Sequence, residues 1–297
     1  MEDRAAPMRA SSRKSPLEAE DDRREALAAI LQRSKKLLVA FSGGVDSTFL
    51  LQAAVDVLGV DRVLAVTGVS DSLAPSERDE AIQLAARIGA LHRLIDTREL
   101  ENPDYAANPR NRCYFCKSEL YDRLAEIAAA EGCDTIADGT NQDDATDVRP
   151  GRLAAQEHGV TSPLLEAGIG KAAIRAWSAE RGLPTAEKPE MPCLASRIPF
   201  GSEVDAEKLR RVAAAEAVLR TVGLARGRVR HHGDIARIEI PEAEVPRLLD
   251  PMIRARLIEG VRAAGFEYVT LDLEGYRRGR QDEVARRAGV EWRTPSS

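Results

Sequence analysis

The sequence predicts an α/β protein, a doubly wound parallel sheet followed by a second, smaller α+β domain. Three observations carry that prediction. Short apolar runs alternate with helix-spaced stretches through residues 25–190, the pattern of strands joined by right-handed helical crossovers. The first of these runs stops at Ser42-Gly43-Gly44-Val45-Asp46-Ser47, a glycine turn that passes directly from strand to helix. Beyond residue 200 the order becomes helix, strand, strand, helix, strand, which no longer alternates and reads as a separate α+β unit.

Each element follows in turn. A helix over residues 23–33 leads to a first strand at 36–41, and Phe49, Leu50, Ala53, Ala54 and Val57 give the next helix its apolar face. A second buried strand covers 62–69. Pro75 opens a long helix with Ala81, Leu84, Ala85 and Ile88 at helical spacing, and Gly89 ends it. Strand 91–95, helix 117–130 and strand 133–137 follow, then the polar stretch Asp138-Gly139-Thr140-Asn141-Gln142-Asp143-Asp144. Helices are expected at 151–158 and from Lys171 through Trp177. Prolines 184, 189, 192 and 199 bar long regular structure in residues 183–201. The boundary between a first domain (25–190) and a second (191–297) is expected there. A helix at 205–222, strands at 227–231 and 235–240, a helix at 252–264 and a strand at 268–271 complete the second domain. Residues 1–24, charged and bearing serine and proline, are expected to form a disordered tail.

Composition narrows the classes. At 43% hydrophobic and 31% charged, a chain of 297 residues has ample material for a core. A net charge of −5 supplies no global basic field, so nucleic acid is not an expected partner. No apolar run approaches the ~20 residues of a membrane span, and the first residues lack the apolar centre of a signal peptide. Four cysteines (113, 116, 133 and 193) do not make a disulfide scaffold in a chain this long. The cytoplasm is the expected location.

The glycine turn carries chemistry. Gly43 and Gly44 let backbone N–H groups approach an anion, and Asp46 and Ser47 sit where the following helix begins and its dipole attracts phosphate. The spacing is neither G-x-x-x-x-G-K-[ST] nor G-x-G-x-x-G; it resembles the PP-loop of ATP pyrophosphatases, which implies that ATP is bound and pyrophosphate released. Ligands of such sheets bind at the strand ends, so Ser42, Thr67 and Gly139 are expected to converge on a nucleotide pocket. Thr140 belongs to the same polar stretch, and Asp144 is a candidate for Mg²⁺ beside the phosphates. Arg149 suits a bidentate phosphate contact. A lysine at a helix start opposes the dipole, which makes Lys171 a phosphate candidate or an ordinary surface lysine.

Cys113-Tyr114-Phe115-Cys116 is a lone C-x-x-C at the start of a helix, too few ligands for a common zinc site. With Cys193, on the proline-braced loop beside Arg197, it supplies three thiols that can hold a [4Fe–4S] cluster and leave one iron open. Cys133 reads as a small core residue. Arg228 and Arg230 fall on one strand face, equally suited to a phosphate monoester or to solvent.

Ser42-Gly-Gly-Val-Asp-Ser47, Cys113-x-x-Cys116, Gly139-Thr-Asn-x-Asp-Asp144, Arg149-Pro-Gly151, Pro192-Cys-Leu-Ala-Ser-Arg197 and Asp272-Leu-Glu-Gly-Tyr276 together resemble the LarE-type ATP-dependent sulfur transferases, from about residue 25 to Arg280. The resemblance implies synthesis of the nickel-pincer nucleotide cofactor of lactate racemase. A carboxylate of pyridinium-3,5-biscarboxylic acid mononucleotide is adenylated and then becomes a thiocarboxylate. It implies Cys193, Cys113, Cys116 and Asp46 as catalytic residues, Arg228 and Arg230 with Ser196 as ligands of the substrate phosphate, and Arg197, Glu216 and Glu239 as further substrate-binding residues, the two glutamates falling where the family places acidic residues near its sulfur-transfer site. Having three cysteines, the chain resembles members in which a cluster carries the sulfur, rather than those that surrender the sulfur of a single cysteine. A sulfur donor, other proteins of nickel-pincer cofactor synthesis and a homohexamer are implied as partners. The rival readings are a tRNA thiolase, disfavoured by the acidic charge, and an amide-forming ligase, which leaves the cysteines idle.

Overall fold

The computed structural model describes residues 16–146, 150–277, 280–290 and 292–293. Four strands, β1 (Leu37–Ala40), β2 (Val63–Val69), β3 (Leu91–Asp96) and β4 (Thr135–Ala137), form a parallel sheet in the order β3-β2-β1-β4. Alternation within β1 and β2 divides their side chains between two cores. Leu37, Val39, Val63 and Ala65 face helices α1 (Pro16–Leu31), α2 (Val45–Leu58), α3 (Pro75–Ile88) and α8 (Lys171–Glu180), whose Leu31, Phe49, Leu50, Leu84 and Trp177 fill that side. Leu38, Ala40, Leu64 and Val66 face α5 (Arg112–Glu131) and α6 (Pro150–Glu157) through Tyr121, Leu124 and Ala154. Both faces are covered, which is why the central strands are continuously apolar. The short helices α4 (Pro103–Ala106) and α7 (Pro163–Glu166) lie in the connections.

The second sheet has the order β5-β6-β7, from β5 (Arg228–His232), β6 (Ile235–Glu239) and β7 (Tyr268–Leu271). Gly233, at φ +62°, turns β5 into antiparallel β6, and α10 (Pro251–Ala263) carries the chain to parallel β7. The long helix α9 (Ala206–Thr221) is capped by Asp205, which accepts from the Lys208 N–H, and packs Leu209, Val212 and Leu219 on the sheet. A last helix, α11, spans Arg280–Arg287. The core beneath this sheet also takes Ala74, Tyr105 and Phe115 from the first half of the chain and Leu194 and Ile198 from the proline-rich segment. The two sheets are therefore joined by shared packing.

Some expectations need correction. The first helix begins at Pro16, not near residue 23, so residues 16–24 are helical rather than tail; the rest of that tail, 1–15, lies outside the described residues. Cys113 and Cys116 fall inside α5, which opens at Arg112. Cys133 precedes β4 and is half-buried; its N–H bonds the Ala128 carbonyl at the end of α5.

Candidate active site

The turn after β1 requires glycine. Gly43 has φ +69°, and a Cβ there would lie 3.2 Å from Ala81 of α3. The Gly44 N–H donates to Ser42 Oγ over 3.4 Å, and the Ser42 and Ser47 hydroxyls are 3.1 Å apart. No side chain caps α2, so its first N–H groups remain for an anion. A Cβ on Gly139 would stand 2.8 Å from the Ser47 nitrogen. That glycine lets the segment after β4 pack against the turn.

Two residues expected in the pocket are committed elsewhere. Strand β2 runs on to Val69, so Thr67 stays within the sheet, 2% exposed. Its hydroxyl donates to the Phe41 carbonyl over 2.6 Å and lies 2.9 Å from His92 Nε2. Thr140 donates to Asp138 Oδ2 over 2.8 Å, and the same buried carboxylate also takes the Tyr121 and Ser162 hydroxyls. Arg149 lies outside the described residues.

The charged groups at the turn are closely coupled. Asp143 accepts the Lys171 N–H over 2.6 Å and so starts α8. Lys171 Nζ is 3.4 Å from Asp46 Oδ2 and pairs with Glu190. The dipole-opposing lysine is thus explained by acidic neighbours. Burial raises the Asp46 pKa; Lys171 lowers it, while Asp144 and Glu190 add to the rise. Asp46 Oδ1 is buried without a hydrogen-bond partner, and Asp144 accepts from the Asn141 N–H over 3.2 Å. An orphaned carboxylate oxygen beside a second carboxylate fits Mg²⁺ entering with phosphates, since that ion commonly takes one or two protein carboxylates.

Residues 188–197 form a strap between the two sheets. Lys188 Nζ donates to the Gly43 carbonyl over 3.1 Å and pairs with Glu77 and Glu80 at 2.8 and 3.0 Å. The Leu194 N–H bonds the Ser72 carbonyl at 2.8 Å. Arg197 Nη1 donates to the Pro192 and Cys193 carbonyls at 2.8 and 3.3 Å. Sequence reasoning missed Lys188 and Glu190, because alternating charges on a loop look like any solvated surface.

Cys193 and Cys113 are exposed and Cys116 is half-buried. Burial, then Glu99, Cys193 and Cys113, push the Cys116 thiol well above its usual range. Burial alone would lower the Arg112 pKa, but Cys193, Cys113, Tyr105 and Cys116 outweigh it and raise it. The three thiols and this guanidinium therefore share one electrostatic neighbourhood, although 77 residues of sequence separate Cys116 from Cys193 (193 − 116). As a donor set they suit an iron–sulfur cluster. Among the described residues no three His, Cys, Asp or Glu side chains are already gathered to hold a metal.

The arginines divide into two kinds. Arg197, 1% exposed, forms a two-pronged pair with Glu216 at 2.8 and 3.2 Å, and Glu216 Oε1 also accepts the Val229 N–H. Both were expected to meet substrate; both are spent inside the protein. Ser196 Oγ likewise accepts from Arg197. Arg230 pairs with Glu239 at 2.8 Å and donates to the Ser196 carbonyl, and Glu239 also holds Arg237 at 3.1 Å. Arg228 differs. Among the described residues its hydrogen bonds go to the carbonyls of Arg226, Gly227 and Glu190 and to the Met191 sulfur, and to no carboxylate. Its guanidinium lies over the Tyr276 ring at 5.5 Å. Burial, then Arg197, lower its pKa, and the more distant Glu216 only partly offsets them.

No protein-family model matches the chain. An uncharacterised protein of Synechocystis sp. is 47% identical over 249 residues, 84% of this chain and 92% of the relative. Pyridinium-3,5-bisthiocarboxylic acid mononucleotide synthase of Lactiplantibacillus plantarum is 38% identical over 262 residues, 88% of this chain and 94% of that enzyme. An NH(3)-dependent NAD(+) synthetase of Methanosarcina mazei is 36% identical over 93 residues, 31% of this chain and 34% of the relative.

Proposed function

Because this chain belongs to the LarE-type family of ATP-dependent sulfur transferases, we propose that it converts pyridinium-3,5-biscarboxylic acid mononucleotide to its thiocarboxylate form at the expense of ATP. The observation that carries the reading is the strap, which runs from the Gly43 carbonyl at Lys188, along Glu190 held by Arg228, and past Cys193 to Ser196 held by Arg230.

The chemistry divides between its ends. A substrate carboxylate oxygen attacks the α-phosphorus of ATP, the bond to the β-phosphate breaks, and pyrophosphate leaves. The free N–H groups of α2, the Ser42 and Ser47 hydroxyls and Lys171 hold the phosphates, with Asp46 and Asp144 taking Mg²⁺. Fixed donors and cations of this kind carry developing charge without reorganising. Arg228, with Arg230, holds the substrate's phosphate monoester, for which a guanidinium fork is matched. Sulfur then attacks the acyl carbon and AMP leaves. Arg197 fixes the Cys193 carbonyl and so sets where this cysteine stands. Cys113, Cys116 and Cys193 would hold a [4Fe–4S] cluster, whose open iron supplies a place for the transferable sulfide. Arg112 offsets the charge of the three thiolates. A homohexamer, a cytoplasmic location and a separate sulfur donor belong to the same reading.

The test is turnover with Mg-ATP, the biscarboxylate mononucleotide and sulfide, following AMP, pyrophosphate and the mass of the product. Exchange of one oxygen for one sulfur is expected; ATP cleavage without that exchange would count against it. Iron and acid-labile sulfide in anaerobically reconstituted protein separate the sulfur sources. About four irons per chain, lost in Cys113→Ala, Cys116→Ala and Cys193→Ala, identify the cluster. No iron, with H₂S lost from Cys193 after turnover, identifies a sacrificial cysteine.

A further inference from the structure

Lys117 follows Cys116 directly on α5 and stands one turn beyond Cys113. Its stem has little room to move. A Cβ on Gly151, at the start of α6, would lie 3.1 Å from Lys117 Cγ, so the glycine leaves the space that this side chain fills. The ammonium lies 5.4 Å from the centre of the Tyr121 ring, whose face attracts a cation. From there its charge is felt by Asp138, at the end of β4, and by Cys116 and Cys113. That charge is not spent on Asp138. The carboxylate already receives the Tyr121 and Ser162 hydroxyls and both the N–H and the hydroxyl of Thr140. Among the described residues the partner of Lys117 is the uncharged Tyr121, and Lys117 enters no ion pair. Gly139, next to Asp138, packs on the Ser47 backbone at the start of α2. A held cation with its charge in reserve thus stands between the phosphate loop and the cysteines.

We propose that Lys117 is a further catalytic residue, whose ammonium holds a non-bridging oxygen of the nucleotide's α-phosphate in both halves of the reaction. The inference rests on the ATP-dependent reading above and adds to it the group that serves the reacting phosphorus. The loop N–H groups and Lys171 serve the phosphates that leave. The α-phosphate has a different requirement, because the acyl-adenylate built on it must also be reached from the cysteines, and Lys117 is carried by the cysteine helix itself. In adenylation, charge gathers on the α-phosphoryl oxygens as the carboxylate oxygen adds and pyrophosphate departs. In sulfur transfer, charge returns to the same phosphate as the acyl C–O bond breaks and AMP leaves. One ammonium offsets both, forming no covalent bond and giving up no proton. Because Gly151 and Tyr121 already restrain the side chain, less of its rotamer entropy is lost when nucleotide binds.

The experiment uses the full chain, Mg-ATP and the biscarboxylate mononucleotide, and follows pyrophosphate release. Calorimetry with adenosine 5′-(α,β-methylene)triphosphate and Mg²⁺ gives nucleotide affinity separately. Lys117→Met keeps the stem and removes the charge. Its kcat for pyrophosphate release is expected to fall about a hundredfold, the usual effect of removing one such donor. Affinity for the analogue should weaken far less, and iron per reconstituted chain should not change. Lys117→Gln carries the same expectation if the methionine variant does not fold. An equal loss of affinity and rate would make Lys117 a binding residue only and overturn the catalytic role. An unaltered rate in a folded variant would overturn the inference and leave the ATP-dependent reading intact. So would loss of iron at an unaltered rate, which would assign the cation to the cysteines. Absence of pyrophosphate release from the unaltered protein would overturn the ATP-dependent reading and this inference together.

Discussion

Arg197 and Arg228 are the same side chain at the same depth, 1% and 3% exposed, in opposite electrostatic states. Arg197 meets Glu216 in a two-pronged pair and spends its remaining donors on the loop that carries Cys193. Arg228, on β5, is surrounded by carbonyls, a sulfur and an aromatic ring. A buried charge without a carboxylate partner is costly, so of the two arginines Arg228 is the one that an incoming anion would stabilise. Arginine in a motif is therefore not evidence of ligand contact; the location of the nearest carboxylate decides.

The largest effect expected from this contrast is at the closed pair. Glu216→Ala leaves Arg197 buried and uncompensated and frees the Val229 N–H. A loss of about 3–5 kcal/mol is expected, seen as a fall in Tm on the order of 10 °C. Arg228→Met is expected to lower Tm less than Glu216→Ala, because it loses hydrogen bonds to carbonyls but breaks no ion pair, while weakening binding of the substrate mononucleotide by about 1.5–3 kcal/mol in calorimetry. A Tm loss as large as that of Glu216→Ala would erase the distinction between the two arginines.

Arg230 is the intermediate case, and Glu239→Gln sharpens it. Removing the charge shared by Arg230 and Arg237 should strengthen mononucleotide binding several-fold while costing about 1 kcal/mol of stability. Weaker binding would mean that Glu239 positions Arg230 rather than restraining it. The smallest effect is a pH dependence. Burial lowers the pKa values of His92, His231 and His232 from 6.5. Below about pH 6.5 the unfolded chain therefore binds protons that the folded chain refuses, and stability falls as pH falls. Tm measured from pH 7.5 to 5.5 should decline, and less steeply in His231→Gln; an increase in Tm over that range would contradict a neutral, buried His231.

The phosphate loop, the alternating sheet and the α+β unit were legible because each is written in local terms. An apolar run, two glycines and a helix start specify a strand–turn–helix whatever the rest of the chain does. Contiguous residues also set the period-2 placement of Arg228 and Arg230. Other features were not legible. Strand β2 was expected to run to residue 69, as it does, but that the Thr67 hydroxyl would turn to the Phe41 carbonyl of the neighbouring chain segment was not encoded locally. That Gly139 also packs against the Ser47 backbone could not be read from the polar stretch around it. Arg197 and Glu216 are 19 residues apart, and their pairing depends on α9 crossing beneath the strap.

By itself, the sequence determined which backbone segments fold and which chemical groups the protein possesses: the glycine turn, the three thiols and the arginines. Their states were decided by the tertiary structure alone. Charge neutralisation depends on the distance between groups far apart in the chain, and no local spacing encodes it. Packing Ala74, Tyr105 and Phe115 under the second sheet, and laying residues 188–197 between Gly43 and Arg228, set which arginines meet a carboxylate and which do not.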